Sequence, residues 1–232
     1  MSNDYFEFKQ FSICHAHCAM KVGTDGVLLG AWANGGRRIL DVGTGSGLIA
    51  MFMAQRFPKA EVVAIDIDKA ACLQARENIT ASVFKERIGV VETALQDFSD
   101  VKFDSIVCNP PFFNDSLVNV DYRKAIARHA VTLPFGDLFS NAARLLSDEG
   151  EFSVVIPYSL RREFDDEAAF AGLFPLRAYA VKTTFRKPPK RVLLSYGNHF
   201  MAEVDERSEC MFEDGNVRSA WFDTLTHDFY LH

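Results

Sequence analysis

From residue 38 onward, short apolar runs alternate with stretches of helical period, and this alternation narrows the fold more than any other feature. Residues 38–43, RILDVG, form an apolar run closed by a turn residue, and SGLIAMFMAQRF (46–57) follows with helical spacing. AEVVAID (60–66) reads as a second strand and KAACLQARENITAS (69–82) as a second helix. RIGVVE (87–92), FDSIVCN (103–109) and GEFSVVIP (150–157) give three more strands, with a helix at DLFSNAARLLSD (137–148) before the last of them. Strands joined through helices require crossover connections, so the pattern predicts an α/β fold with a mainly parallel sheet covered on both faces. SLRREFDDEAAFAGL (159–173) continues as a helix. The strand-like runs near 174–184 and 191–200 are separated only by FRKPPKR, too short for a crossover helix, which predicts a C-terminal antiparallel hairpin. Ahead of residue 38, YFEFKQFSI alternates like one strand and TDGVLLGAWA reads as a short helix.

A chain of 232 residues can bury one substantial core, and no linker, repeat or low-complexity tract divides it. The expectation is one domain over 1–232, with an N-terminal extension (1–37), a Rossmann-like core (38–200) and a C-terminal tail (201–232). MSNDYFEFKQ lacks the basic and apolar regions of a secretory signal, and no apolar run approaches the roughly 18–20 residues that span a bilayer. Five scattered cysteines argue against a disulfide framework and fit a reducing cytoplasm. The net charge of −6 speaks against bulk nucleic-acid binding, which draws on Lys and Arg, unless local patches overrule the mean.

LDVGTGSG, Leu40 to Gly47, sits between the first strand and its helix. Gly43, Gly45 and Gly47 permit a tight turn and let a ligand approach bare backbone, with helix N–H groups facing it. The G-x-G-x-G spacing is not the dinucleotide fingerprint and is weak alone. It is strengthened by Asp66 at the end of the second strand, where an acid can accept both hydroxyls of a ribose. Asp41, just before the glycines, suits a ligand ammonium rather than a pyrophosphate. The plain alternative is an αβ turn with helix-capping acids.

This combination resembles the Rossmann-like class I methyltransferases that use S-adenosylmethionine. The resemblance implies that Asp41, with Gly43, Gly45 and Gly47, holds the methionine end of the donor and Asp66 with Ile67 the ribose side. It also implies that ALQDF places Asp97 near the adenine amino group, with Leu95 or Phe98 against the ring.

The fourth strand ends in CNPPFF (108–113), an odd composition for a strand end. If it reaches the carboxyl edge, the Asn109 side-chain oxygen and the Pro110 carbonyl can accept the two N–H protons of a ring-conjugated amine. That holds a poor nucleophile with its lone pair toward a methyl carbon. Pro110 and Pro111 fix the carbonyl direction, since each locks its own φ and restricts the residue before it. Phe112 can stack on a planar substrate, while Phe113 packs inward. Neither a metal nor a strong base is required. The alternative is a polar strand end with a Pro-Pro turn and two core rings. This N-P-P-aromatic pattern is that of amino-methyltransferases acting on adenine N6, cytosine N4, guanine N2 or a protein glutamine amide.

With FKQF, AMKVGTDGVLLGAWA (19–33), LDVGTGSGLIAMFMAQR, CNPPFF and RKAIARH, the chain resembles, nearly end to end, the bacterial tRNA(Val) adenine-37 N6-methyltransferases. The resemblance implies a monomeric, metal-independent cytoplasmic enzyme that binds a tRNA anticodon loop. It further implies that Lys21, Thr24, Asp25 and Gly26 line the donor site from the N-terminal side, with Asn109 between donor and base. A helix cap for Thr24 and Asp25 and a solvated charge for Lys21 are the ordinary readings.

KTTFRKPPKR (182–191) carries five basic residues and no acid. Phe185, Arg186, Lys187, Lys190 and Arg191 could bear on phosphates and a base, and Arg123, Lys124 and Arg128 could do so just after the catalytic loop. Solvated surface is the plain alternative for each patch. CHAHC (14–18) is too compressed for one tetrahedral metal site, and no second cluster follows. Two other readings stay open: a protein glutamine N5-methyltransferase, and a non-catalytic RNA-binding module.

Overall fold

A computed structural model describes residues 5–15, 21–111, 133–214 and 217–231. The strands are β1 (Tyr5–Glu7), β2 (Ser12–Cys14), β3 (Arg38–Val42), β4 (Glu61–Asp66), β5 (Ile88–Glu92), β6 (Phe103–Cys108), β7 (Leu146–Pro157), β8 (Phe174–Thr184), β9 (Arg191–Gly197) and β10 (Asp205–Phe212). The described helices are α1 (Thr24–Trp32), α2 (Leu48–Arg56), α3 (Lys69–Thr80), α4 (Phe135–Leu145), α5 (Arg161–Phe170) and α6 (Ala220–Thr226).

Eight strands form one sheet in the order β10-β8-β9-β7-β6-β3-β4-β5. Every neighbouring pair is parallel except the two that involve β9. This is the expected mostly parallel Rossmann-like sheet with its antiparallel hairpin, β8–β9. After β3 the chain fills one side of the sheet with β4 and β5, then returns to the other side with β6. The connections therefore diverge between β3 and β6, and that divergence opens a crevice at the carboxyl ends of these strands.

Two apolar clusters, one on each face, enclose the sheet. In α2 every residue from Leu48 to Ala54 is buried. A helix apolar all round must be covered on all sides, and Phe52 is met by Phe8, Phe11 and Phe229 from the chain's two terminal segments. By contrast, α4 buries only the stripe Leu138, Phe139, Ala142 and Leu145, with Phe139 against Phe152, Phe164 and Tyr196.

The structure corrects the sequence reading in three places. YFEFKQFSI is not one strand but a hairpin, β1–β2, turned where the Phe8 N–H donates to the Phe11 carbonyl. Both of those rings drive into the core, which forces the reversal. The strand expected to begin at 150 begins at Leu146, immediately after α4, with an irregular register against β6. Residues expected as a tail instead supply β10, which pairs with β8, and α6, which packs Phe222 inside. DERSECMF hides this role because an edge strand with solvated side chains lacks an apolar alternation.

Helices α1 and α2 cross closely because α1 carries glycines where they meet. A Cβ on Gly26 would stand 2.9 Å from the Leu48 side chain, and one on Gly30 would stand 2.7 Å from the Phe52 Cβ. Phe52 is stacked on Phe229 at 4.1 Å between centroids and cannot withdraw without disturbing that contact. Gly30→Ala is therefore expected to lower unfolding stability by roughly 1–3 kcal/mol through overpacking, measured by urea denaturation.

Candidate active site

β3 enters the glycine loop at Gly43. Gly43, Gly45 and Gly47 have φ of 69°, 56° and 84°, the left-handed region that other residues adopt only with strain. The loop is sewn to the end of β4. Gly43 and Thr44 N–H groups donate to the Ile65 carbonyl at 2.9 and 3.0 Å, and the Gly45 N–H donates to Asp66 Oδ2 at 2.9 Å. A Cβ at Gly43 or Gly45 would meet no atom of the described residues within 4 Å. The backbone bend, and not crowding by the described residues, thus demands glycine there. Gly47 instead faces Ala75 and Ile79 of α3.

Asp41 is fully buried beneath the loop. Its Oδ2 accepts from Thr44 Oγ1 at 2.6 Å and from the Ala50 N–H at 3.0 Å, while Oδ1 is buried without a hydrogen-bond partner among the described residues. Burial pushes its pKa up to about 7; the two hydrogen bonds oppose that rise and nearby Asp66 adds to it. Asp66, half-buried, is also raised, first by burial, although the Asp68 and Gly45 N–H groups pull it down. Thr44, which sequence reasoning passed over, is what holds Asp41 in place. Its signal was its position as the hydroxyl between two loop glycines, three residues after the acid.

Strand register brings the remaining candidates alongside. Cys108 of β6 lies opposite Val42 of β3, and Val42 lies opposite Ile65 of β4. Asn109, Gly43 and Asp66 are each the next residue, so all three stand together at the carboxyl edge. The Asn109 Oδ1 is buried and has no hydrogen-bond partner among the described residues, an arrangement that costs free energy until a donor arrives. Pro110 is buried and Pro111 exposed. The Cys108 thiol is pushed far up by burial and then by Asp41 and Asp66, so it stays protonated and is no nucleophile. Phe112, Arg123, Lys124 and Arg128 lie outside the described residues.

Ile67 projects beside Asp66 with 48 % of its surface exposed, and Asp97 is exposed. Leu95 and Phe98, the candidates for the ring, are instead buried in the core with Phe103 and Ile106. The alternation of ALQDF could not reveal this, because the turn folds both side chains under the edge.

From the N-terminal side, Lys21 and Thr24 are exposed, whereas Gly26 is spent on the α1–α2 crossing. Asp25 accepts from Arg191 Nε at 2.8 Å, which ties the start of α1 to the start of β9. Arg191, expected on an RNA surface, is thus engaged inside the protein. Arg186 pairs with Asp214 at 3.1 Å on the open surface, a contact worth little. Phe185, Lys187 and Lys190 are exposed at the hairpin tip. Among the described residues no three His, Cys, Asp or Glu side chains converge as a metal site would need, and no described helix is long and apolar enough to cross a membrane.

A cleft of about 760 Å³ lies elsewhere, beside Trp32, Arg56, Arg177 and Arg207. Its arginines are already committed. Arg177 is held by Glu151 and lies over the Trp32 ring, Arg207 binds Asp205, and Arg56 donates to the Gly30 and Ala33 carbonyls. Buried polar atoms without a hydrogen-bond partner among the described residues occur at both places: Trp32 Nε1, Gln55 Oε1 and Arg177 Nε beside the cleft, and Asp41 Oδ1 and Asn109 Oδ1 beside the glycine loop.

The methyltransferase small domain family model matches residues 14–172. The tRNA1(Val) (adenine(37)-N6)-methyltransferase of Parabacteroides distasonis is 44% identical over 236 residues, covering 100% of this chain and 99% of its own length. The enzyme of the same name from Phocaeicola vulgatus is 46% identical over 244 residues, covering 100% of both. The chain belongs to this methyltransferase family. Among solved structures, a predicted O-methyltransferase from Agrobacterium tumefaciens superposes with a TM-score of 0.70 at 21% identity, covering 88% of this chain and 96% of that one; it shares the fold.

The raised Asp41 has a direct consequence for stability. The folded state retains a proton that the unfolded chain releases near pH 4, so this group's contribution falls as pH rises from about 4 to about 7. Asp41→Asn should remove that dependence. Urea unfolding at pH 5 and pH 8 should show the wild type losing on the order of 2–4 kcal/mol more than the variant over this interval.

Proposed function

We propose that this protein transfers a methyl group from S-adenosylmethionine to the N6 amine of adenine 37 in tRNA1(Val). The observation that carries the reading is Asn109, whose buried side-chain oxygen has no hydrogen-bond partner among the described residues and stands at the carboxyl edge beside the glycine loop. The near-full-length similarity to the tRNA1(Val) methyltransferases supports the choice of substrate.

The residues present fit the donor. The bare backbone at Gly43 and Gly45, the Oδ1 of Asp41, without a hydrogen-bond partner among the described residues, and the half-buried carboxylate of Asp66 are groups that suit an amino acid end and a ribose. Ile67 offers apolar surface next to Asp66, and the exposed Asp97 is an acceptor for an adenine amine. Lys21 and Thr24 would border the donor from the N-terminal side. When bound, the donor supplies an electrophilic methyl group on a cationic sulfur.

The chain's own residues then act on the base. The Asn109 oxygen and the Pro110 carbonyl accept the two N–H protons of the amine, which orients a nucleophile whose lone pair is otherwise delocalised into the ring. Pro110 and Pro111 stiffen the loop so that little entropy is lost in fixing that geometry. Phe112 is the residue proposed to stack on the base. Transfer cancels the sulfonium charge, so the amine's proton can leave to solvent after the bond is made. The exposed Phe185, Lys187 and Lys190 lie on the same edge, since the β8–β9 hairpin turns there, and would contact the anticodon loop with Arg123, Lys124 and Arg128. Presenting the base in a single-stranded loop keeps unstacking cheap. We place the reaction in the cytoplasm and assign it to a monomer of one domain.

Asn109→Ala is expected to reduce turnover by at least about a hundredfold while leaving donor affinity within about twofold. Comparable loss of both would move Asn109 to the donor side or to the fold. Asp66→Ala should weaken donor binding by roughly tenfold or more in calorimetry, as loss of hydrogen bonds to a charged acceptor requires. The substrate is tested by incubating the protein with methyl-labelled S-adenosylmethionine and total RNA from a strain lacking the gene. Label recovered in N6-methyladenosine within a valine tRNA supports the reading. Label in another base would discard the substrate, and label in a protein glutamine would replace it with the amide reading.

A further inference from the structure

Asn78 lies in the last turns of α3, outside every motif singled out in the sequence, and is 4% exposed. Its side chain makes three hydrogen bonds, all to backbone. Oδ1 accepts from the Cys14 N–H at 2.9 Å, and Nδ2 donates to the Cys14 carbonyl at 2.8 Å and to the Ser46 carbonyl at 2.9 Å. The first two bonds copy the reciprocal pairing of a neighbouring β-strand, so Asn78 extends the edge of the N-terminal hairpin by one amide. The third reaches the middle of the glycine loop, between Gly45 and Gly47.

That third bond is unusual in its consequence. Ser46 is one of the few loop residues without glycine's conformational freedom, and its carbonyl direction is coupled to the φ of Gly45 and Gly47 on either side. The loop otherwise holds to β4 through Gly43, Thr44 and Gly45. Asn78 fixes the other half. One buried amide thus joins the segment that leads towards Lys21–Gly26 to the backbone that faces the donor. A leucine or alanine of helical propensity would serve α3 better at this position, which leaves the bridge as the reason for an amide there.

We propose that Asn78 is a positioning residue for the methyl donor: by bonding Cys14 and Ser46 together, it makes the donor-binding shape of the glycine loop depend on the N-terminal segment. The inference rests on the glycine loop holding the donor. It assigns Asn78 no contact with donor or base. Donor affinity should therefore change while the chemistry, once donor saturates, does not.

The test is calorimetric binding of S-adenosylmethionine to the full-length protein, paired with steady-state kinetics at varied donor and with amide hydrogen exchange. Asn78→Ala should weaken donor binding about tenfold, consistent with the loss of one or two buried hydrogen bonds. It should raise the donor KM by a similar factor and leave kcat within about twofold. Exchange should quicken at residues 43–47 and 12–15 and not across β6 and β7. Asn78→Asp is the second variant: it can still accept from the Cys14 N–H but presents an acceptor to the Ser46 carbonyl. It should weaken donor binding at least as much as Ala, and it keeps the test open if the Ala variant does not fold. Unchanged donor affinity in a folded variant, or equal losses in kcat and affinity, overturns the proposal. Asp66→Ala measured alongside separates the two readings. If it leaves donor affinity intact, the loop is not the donor site; if it weakens binding and the Asn78 variants do not, only the role of Asn78 is wrong.

Discussion

The hydrogen bonds between the glycine loop and the end of β4 are the contacts on which the carboxyl edge of the sheet depends. Three loop N–H groups are spent on the Ile65 carbonyl and the Asp66 carboxylate. They can reach those acceptors only because β3 and β4 are parallel neighbours that end in register, Val42 opposite Ile65. The same register across β3 and β6 delivers Asn109. A one-residue slip on either side would turn a functional side chain to the opposite face of the sheet. The burial of both faces, with buried residues along nearly all of β3 and β6, forbids such a slip.

The edge so assembled is held under electrostatic tension. Asp41 and Asp66 are both raised from the ordinary carboxylate value, chiefly by burial, with a smaller push on Asp41 from Asp66 and on Asp66 from Asp68. Asp41 is held ionisable by Thr44 and Ala50 yet keeps one oxygen unpartnered among the described residues. Asn109 does the same with its amide oxygen. Such groups cost stability in isolation and are satisfied by a ligand with donors in the right places. The aromatic stack around Phe52 and the two apolar clusters supply the surplus that tolerates them.

The basic hairpin shows how a charge count can mislead. Arg186 and Arg191 both have acidic partners, Asp214 on the surface and Asp25 at the start of α1. The second of these pairs is half-shielded and joins two elements far apart in sequence, so Arg191 orders the edge before any RNA is present. At the tip, Lys187 and Lys190 are exposed, in a chain with a net charge of −6.

Local sequence determined a good deal of this protein. The strand–helix alternation gave the parallel sheet, because period-2 and period-3.6 patterns are properties of neighbouring residues. The glycines at 43, 45 and 47 and the acids at 41 and 66 were legible because a tight turn and a strand end impose their own residue types. The Asn-Pro-Pro stop was legible for the same reason. Tertiary structure alone decided the rest. It turned Leu95 and Phe98 into the core, gave Gly26 to a helix crossing, and drew residues 205–212 into the sheet as an edge strand. It also placed Asn78 between Cys14 and Ser46, 64 and 32 residues away in the chain. Those outcomes depend on which distant surfaces meet, and no local pattern of residues encodes a partner so far along the chain.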